Sequence, residues 1–253
     1  MTDDVGDSAR PHPGRMYDYV IGGSHNLEVD RVAADQFVKL VPSIPVAARQ
    51  NRAFLKVAAE RWERDGIRHI LDLGSGLPTQ GHLNDYLPEA QILFTDNDVR
   101  TVEYGQQILG DNPAHEYLQA DVFQTGLLEH VIDRAFKDHR RLGVGFIGLS
   151  YFASDDQIRN LSRELSASCA PGSVLAMTFL FTASVETAES LVSQYARVIN
   201  APLYLRSPDD TPSLLVPWQV EELQLVEQFT HEDRAAPETQ ESLRMYGLFA
   251  SLP

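Results

Sequence analysis

Three carboxylates in this sequence stand where a carboxylate can do chemistry. Asp72 closes the apolar run of HILDLGSGLP, residues 69–78, and Gly74 and Gly76 follow at once. Asp96 closes QILFTD, about 20 residues beyond the glycines. Asp121 follows HEYLQA. An apolar run that ends in an acid and breaks into glycines reads as a buried strand with a negative tip, beside a turn where a ligand can meet the backbone. The first acid suits an ammonium group, directly or through water. The second can accept from both hydroxyls of a ribose, with Asn97 beside it. The third can accept from an adenine amino group, with Val122 or Phe123 against the ring.

Phosphate ligands fit this turn poorly. A phosphate-cradling G-x-x-x-x-G-K-[ST] loop needs a lysine that the turn lacks. A dinucleotide G-x-G-x-x-G turn would place a third glycine where Thr79 stands, Pro78 stiffens the chain, and Asp72 would repel a pyrophosphate. A cationic nucleoside without phosphate satisfies all three acids. S-adenosylmethionine, with its ammonium, sulfonium and nucleoside, is such a ligand and is the expected cofactor. The eight histidines show no H-x-x-x-H spacing, so no metal site is expected.

The elements that must position these acids alternate along the chain. Strands are expected at 68–73, 91–95, 115–119, 144–149 and 174–180, with helices near 80–87, 98–109, 125–138 and 154–168. That alternation gives a parallel sheet covered on both faces, with ligands bound at the carboxyl ends of its strands. Asp98 is a second, weaker candidate for the ribose, with capping of the helix it begins as the alternative. At the end of the fourth strand, GLSYFASDDQ (148–157) offers Ser150 to the cofactor and Tyr151 and Phe152 to an acceptor; Asp155 and Asp156 start the next helix, where acids complement its dipole. Beyond 180 come a helix at 183–199 and a short helix capped by Ser207 with Pro208 first. Strands at 223–229 and 244–251 would make an antiparallel edge.

Ahead of the sheet, Val29, Val32, Ala33, Phe37 and Leu40 form one stripe of a helix at 29–40, and a second helix at about 45–65 ends at Gly66. Residues 1–14, acidic and rich in Pro and Gly, read as a disordered tail. Residues 15–66 read as a helical cap or lid, and 67–253 as the ligand-binding domain with a helical insertion at about 181–220. The segment RMYDYVIGGSHN (15–26) leaves two readings open: a lid that excludes water from the reacting centre, or a fixed clasp on the core. As a lid it brings Tyr17 and Gly22 to the cofactor and makes Tyr19, His25 and Asn26 substrate-pocket candidates. Arg52 is another, able to hold a carboxylate or to form a structural salt bridge.

Bulk properties narrow the partners. The 253 residues carry a net charge of −15, which disfavours nucleic acid and anionic membranes. A small molecule is the expected substrate. No apolar run approaches the roughly 20 residues of a membrane span, the N-terminus lacks a signal-peptide pattern, and the single cysteine, Cys169, allows no internal disulfide. A cytoplasmic location is expected.

With these residues placed, the chain resembles the class I S-adenosylmethionine-dependent methyltransferases, through DLGSG, TDND, AD and CAPGSVL in that order over 67–180. RMYDYVIGGSHN, NRAFL (51–55) and DLGSGLPT (72–79) make it similar to the bacterial S-adenosyl methyltransferase family once catalogued as DUF574. It departs from that family at EQFTHEDRAAPE (227–238), where a glycine-proline turn is usual. The resemblance implies an α/β, Rossmann-like, seven-stranded sheet, mostly parallel with an antiparallel C-terminal edge, under an N-terminal helical cap. It implies methyl transfer from S-adenosylmethionine, here to a small molecule such as one of secondary metabolism; a homodimer is a further expectation. Other readings stay open: a non-methylating reaction such as a cyclisation, a non-catalytic S-adenosylmethionine-binding regulator, and, more distantly, a nicotinamide oxidoreductase. His25 and His231 are candidates for a general base that nothing in the spacing separates, and none is assigned. Positioning an acceptor in line with a sulfonium supplies much of the rate without one.

Overall fold

The computed structural model describes residues 10–79, 81–230, 239 and 241–253. Three helices come first: α1 (Pro13–Val20), α2 (Glu28–Leu40) and α3 (Ile44–Arg64). Then follow β1 (His69–Asp72), α4 (Leu83–Tyr86), β2 (Gln91–Asp96), α5 (Val99–Leu109), β3 (His115–Gln119), α6 (Leu127–Phe136) and β4 (Gly143–Phe146). The chain continues through α7 (Asp155–Ser168), β5 (Val174–Phe181), α8 (Val185–Ile199), β6 (Gln219–Leu225), α9 (Val226–Thr230) and β7 (Arg244–Ser251). Single 3-10 turns lie at Ser150–Phe152 and Thr211–Leu214.

The strands form one seven-stranded sheet in the order β3-β2-β1-β4-β5-β7-β6. β1 to β5 run parallel, while β7 pairs antiparallel with both β5 and β6. This is the expected Rossmann-like architecture with an antiparallel C-terminal edge. The chain winds outward from β1 to β3 and then crosses to β4, so β1 and β4 flank the switch point where such sheets bind ligands. Side chains alternate across the strands, as the two-residue repeat requires. Ile70, Ile92, Phe94 and Ala176 face one hydrophobic cluster with α3, and Leu71, Leu93, Val144 and Met177 face a second on the other side. α3 lies close against the sheet because glycine permits it: a Cβ on Gly143 would come within 2.8 Å of the Trp62 ring. Fully buried Trp62 donates its indole N–H to the Val174 carbonyl, 3.1 Å away.

Several boundaries differ from the sequence reading. The strand expected at 223–229 lies at Gln219–Leu225 and passes into α9. β6 is a half-exposed edge strand with a bulge between Val220 and Glu222, which breaks its alternation, and Glu221 and Glu222 reach back to Arg61. Phe229 on α9 packs against Phe54 and Phe249. The fourth strand stops at Phe146, because Gly148 takes φ +79° and leads into the 3-10 turn. The short helix after Ser207 is a 3-10 turn starting later, at Thr211. Of the tail expected over 1–14, residues 1–9 lie outside the described residues, and Pro13 and Gly14 already belong to α1. Eight residues are too few to show helical periodicity; α1 declares itself through Pro13 at its start and the His12 side chain, which accepts the Gly14 N–H at 3.2 Å.

Asp30 ties α1 to α2. Fully enclosed, its carboxylate accepts the His12 and Leu27 backbone N–H groups, each at 2.8 Å, and Arg15 Nε at 2.7 Å. Burial alone would raise its pKa, but these bonds outweigh burial and hold it below its ordinary value. Asp30→Asn leaves Arg15 unpaired and turns an amide N–H toward a donor. It should cost about 2–4 kcal/mol at neutral pH in urea unfolding. A carboxylate with a lowered native pKa stabilises above its unfolded pKa and ceases to as the pH falls, so the gap between wild type and variant should close below the ordinary value of 3.8.

Candidate active site

The carboxyl ends of β1, β2 and β4 open into a cavity of about 630 Å³ beneath α1, α2, α3 and α8. Another hollow, of about 660 Å³, lies between α5 and β3 at the outer edge of the sheet, away from the β1 and β4 tips. It has no link to the switch point, so the roofed cavity is the candidate site.

Of the residues singled out in the sequence, Asp72, Gly74, Gly76, Asp96, Asn97 and Asp121 all line this cavity, as do Tyr17, Arg52, Tyr151 and Phe152. Asp72 is 2% exposed and its Oδ2 has no partner. Burial raises its pKa to about 7, with Asp96 adding to the effect and Ser75 and Arg52 opposing it. His82 Nε2 lies 3.9 Å from Asp72 and 3.2 Å from the Ser75 carbonyl. Burial, with Arg52 nearby, pushes His82 down to about 3, so the ring is neutral and makes no ion pair with Asp72. Arg52 donates Nη2 to Thr79 Oγ1 at 2.9 Å, while its Nε is buried without a partner.

The glycine turn is held from beneath and free above. Asp96 accepts the Gly76 N–H at 3.1 Å and the Asp98 N–H at 2.9 Å. Tyr117 donates its hydroxyl to the Gly76 carbonyl at 2.5 Å. Gly76 takes φ +65°, and a Cβ built there would meet nothing within 4 Å. Burial raises the Asp96 pKa against its two backbone bonds. Asp98 caps α5, accepting the Arg100 and Thr101 N–H groups, and its other oxygen lies 3.2 Å from His12 Nε2, at the start of α1.

A buried chain of hydrogen bonds runs from the roof to the sheet. Tyr17 donates to the Ala48 carbonyl (3.0 Å) and accepts from Asn51 Nδ2 (3.2 Å). Asn51 Oδ1 accepts from Thr178 Oγ1 (2.6 Å), which in turn accepts the Gly148 N–H (2.8 Å). Arg206 fixes the neighbouring turn, donating to the Ser150 and Ala153 carbonyls and to Asp155. That turn carries Tyr151 and Phe152 to the cavity.

Other sequence candidates lie elsewhere. Val122 is buried in the second cluster with Leu71 and Leu93, not against the cavity. Ser150 is fully enclosed and donates to the Thr178 carbonyl at 2.6 Å. Gly22, His25 and Asn26 form a loop organised by buried Asp18: its carboxylate accepts the His25 N–H at 2.7 Å and Asn26 Nδ2 at 2.9 Å, and its carbonyl accepts the Gly23 N–H. Tyr19 turns outward and donates to Asp35. None of these lines the cavity. His231 lies outside the described residues. Sequence reasoning missed His82, Asn51 and Tyr195, which do line it. Tyr195 arrives from a distant element, while Asn51 opens NRAFL and His82 follows the glycine turn without a spacing that gives either a role.

The chain matches, over residues 2–253, the family model described as S-adenosyl methyltransferase. It belongs to that family. S-adenosylmethionine is therefore the cofactor and methyl transfer the activity of this methyltransferase. A crystal structure of a DUF574 family protein from Streptomyces avermitilis MA-4680 is 27% identical, with a TM-score of 0.81 over 98% of this chain and 99% of that one. A protein from Thermobifida fusca YX, provisionally described as a methyltransferase, is 23% identical with a TM-score of 0.84 over 100% and 99%. Magnesium protoporphyrin IX methyltransferase from Synechocystis PCC 6803, with bound SAH, shares the fold at 11% identity, with a TM-score of 0.57 over 94% and 93%. No curated protein matches the chain. Among the described residues, no helix is long and apolar enough to cross a membrane.

Asp72 has a measurable signature without any ligand. Its native pKa of about 7 lies above the ordinary 3.8, so the folded protein holds the proton longer than the unfolded chain. Stability conferred by this group is therefore present at low pH and lost as the pH rises from about 4 to 7. Asp72→Asn, uncharged throughout, should unfold at higher urea than wild type at pH 8, by about 2–4 kcal/mol. The difference should shrink toward pH 5. Superimposable curves at pH 8 would show that the buried carboxyl carries no such penalty.

Proposed function

We propose that this methyltransferase binds S-adenosylmethionine across the β1 and β2 tips and transfers its methyl group to a small molecule held under the helical roof. One pairing of observations supports the reading most. Asp72 Oδ2 and Arg52 Nε are buried, oppositely charged and unpartnered, and both residues line one cavity. An α-amino acid supplies the two missing partners, an ammonium for Asp72 and a carboxylate for Arg52. The free face of Gly76 leaves room for the ligand to lie against the backbone. Asp96 stands for the ribose hydroxyls with Asn97 beside it, and Asp121 and Phe123 for the adenine. The residues present therefore fit the cofactor.

Bound there, the cofactor would supply an electrophilic methyl group, activated by the sulfonium charge, to a nucleophilic atom of the acceptor whose electron pair forms the new bond. The protein's part is positional. Asp72 and Arg52 fix the amino-acid end, and the Tyr17–Asn51–Thr178–Gly148 chain holds the β4 turn against the roof. α1 and α2 keep water from the reacting atoms. His82, pushed down to about 3, is too weak a base to take an acceptor's proton at neutral pH. A cavity of about 630 Å³ recessed beneath the helices suits a small molecule, such as a secondary metabolite, better than a polypeptide.

Calorimetric titration tests the cofactor site. Asp96→Ala should weaken S-adenosylmethionine binding by about 1–3 kcal/mol; unchanged affinity would remove Asp96 from the ribose. Turnover is read separately, as S-adenosylhomocysteine appearing together with a methylated product. Tight binding without turnover of any acceptor would favour a regulator instead.

A further inference from the structure

We propose that the methyl acceptor is an uncharged, aromatic molecule, bound in the half of the cavity walled by Phe37, Phe152 and Tyr195, with one polar group hydrogen-bonded to Tyr195 Oη. The inference rests on the polar half being the cofactor site, since that leaves this half for the acceptor.

Three elements bring the aromatic wall together. Phe37 comes from α2, Tyr195 from α8 and Phe152 from the turn after β4, and all three line the cavity. The Tyr195 ring lies 5.8 Å from Phe37 and 5.9 Å from Phe152, at 29° to the latter, and Tyr151 meets Phe152 edge-on at 4.6 Å. Leu191, Leu203 and Met245 close the space around them. Ring faces and edges presented together recognise another ring.

Charge excludes ionic acceptors. Among the described residues, no lysine or glutamate lines the cavity. Arg15 is committed to Asp30, and Asp18 to the 23–26 loop. The remaining charged side chains, Arg52, Asp72, Asp96 and Asp121, belong to the strand-tip end. An ionised acceptor in the aromatic half would therefore lie buried without a counter-charge, an arrangement proteins avoid.

The polar contact follows from a missing one. Tyr195 is 7% exposed and its hydroxyl has no partner, a costly state for a buried donor. Tyr17, in contrast, already donates and accepts. Burial raises the Tyr195 pKa, so the hydroxyl stays a neutral donor.

The test uses the full chain saturated with S-adenosylhomocysteine and three probes of one shape, naphthol, naphthoate and naphthalene, titrated by calorimetry at pH 7.5. Naphthol should bind at least about tenfold more tightly than naphthoate. Tyr195→Phe, which keeps the ring, should weaken naphthol by about five- to tenfold, while naphthalene changes by less than about twofold. Equal or tighter binding of naphthoate overturns the proposal. So does naphthol binding that the variant leaves unchanged, or failure of all three probes on protein that binds S-adenosylhomocysteine. Affinity for S-adenosylhomocysteine, measured first, judges the cofactor reading alone; its absence removes that reading and this one with it.

Discussion

A carboxyl group buried at the switch point of the sheet, with one oxygen left unbonded, sets the terms for the rest of the molecule. Asp72 is placed by β1, the strand from which the chain winds in both directions. It is crowded by Gly145, whose missing side chain leaves room for Oδ1: a Cβ there would lie 2.5 Å away. Burial makes its ionisation costly, and among the described residues no side chain closes the gap. Arg52, the cation that acts on it, gives its hydrogen bond to Thr79 instead. The fold therefore keeps a buried carboxyl oxygen and a buried guanidinium nitrogen without hydrogen-bond partners, a cost to stability of the kind that functional sites carry.

The helices above this site are bound to it by specific contacts, not merely laid over it. Asp30 fastens α1 to α2, His12 reaches the Asp98 cap of α5, and Tyr17, Asn51 and Thr178 connect α1, α3 and β5 to the turn at Gly148. The residues of 15–26 that looked chemical in the sequence divide accordingly. Tyr17 reaches the cavity wall, while Gly22, Gly23, His25 and Asn26 shape a loop around Asp18. Polar residues clustered in a motif can be needed for the backbone path as much as for a ligand.

How much of this was legible in the sequence depends on range. Asp72, Asp96 and Asp121 were readable because each sits at the end of its own strand, a local pattern, and parallel topology then brings the tips together. Asp98 as a cap and Asp155 and Asp156 opening α7 were equally local. Val122 shows the limit: beside a strand-end acid, one residue's difference decides between cavity and core. Tyr195 carried no signal because the rings it meets, Phe37 and Phe152, lie far along the chain; Asn51 opens NRAFL and His82 lies close to Asp72 in sequence, but no spacing gave either a role. β6 was misplaced because an exposed, bulged edge strand is not obliged to alternate.

The strand order carries a temporal consequence. β7, residues 244–251, is inserted between β5 and β6, and among the described residues β6 has no other neighbour. Leu243 and Met245, at its start, also wall the cavity. A nascent chain can lay down its acids, glycines and roof helices in order, yet the chamber stays open along one side until this segment leaves the ribosome and docks. Pairing across so long a separation is slow to nucleate. The cavity wall is thus completed only after β7 docks, well after the strand tips that carry the acids and glycines have been made.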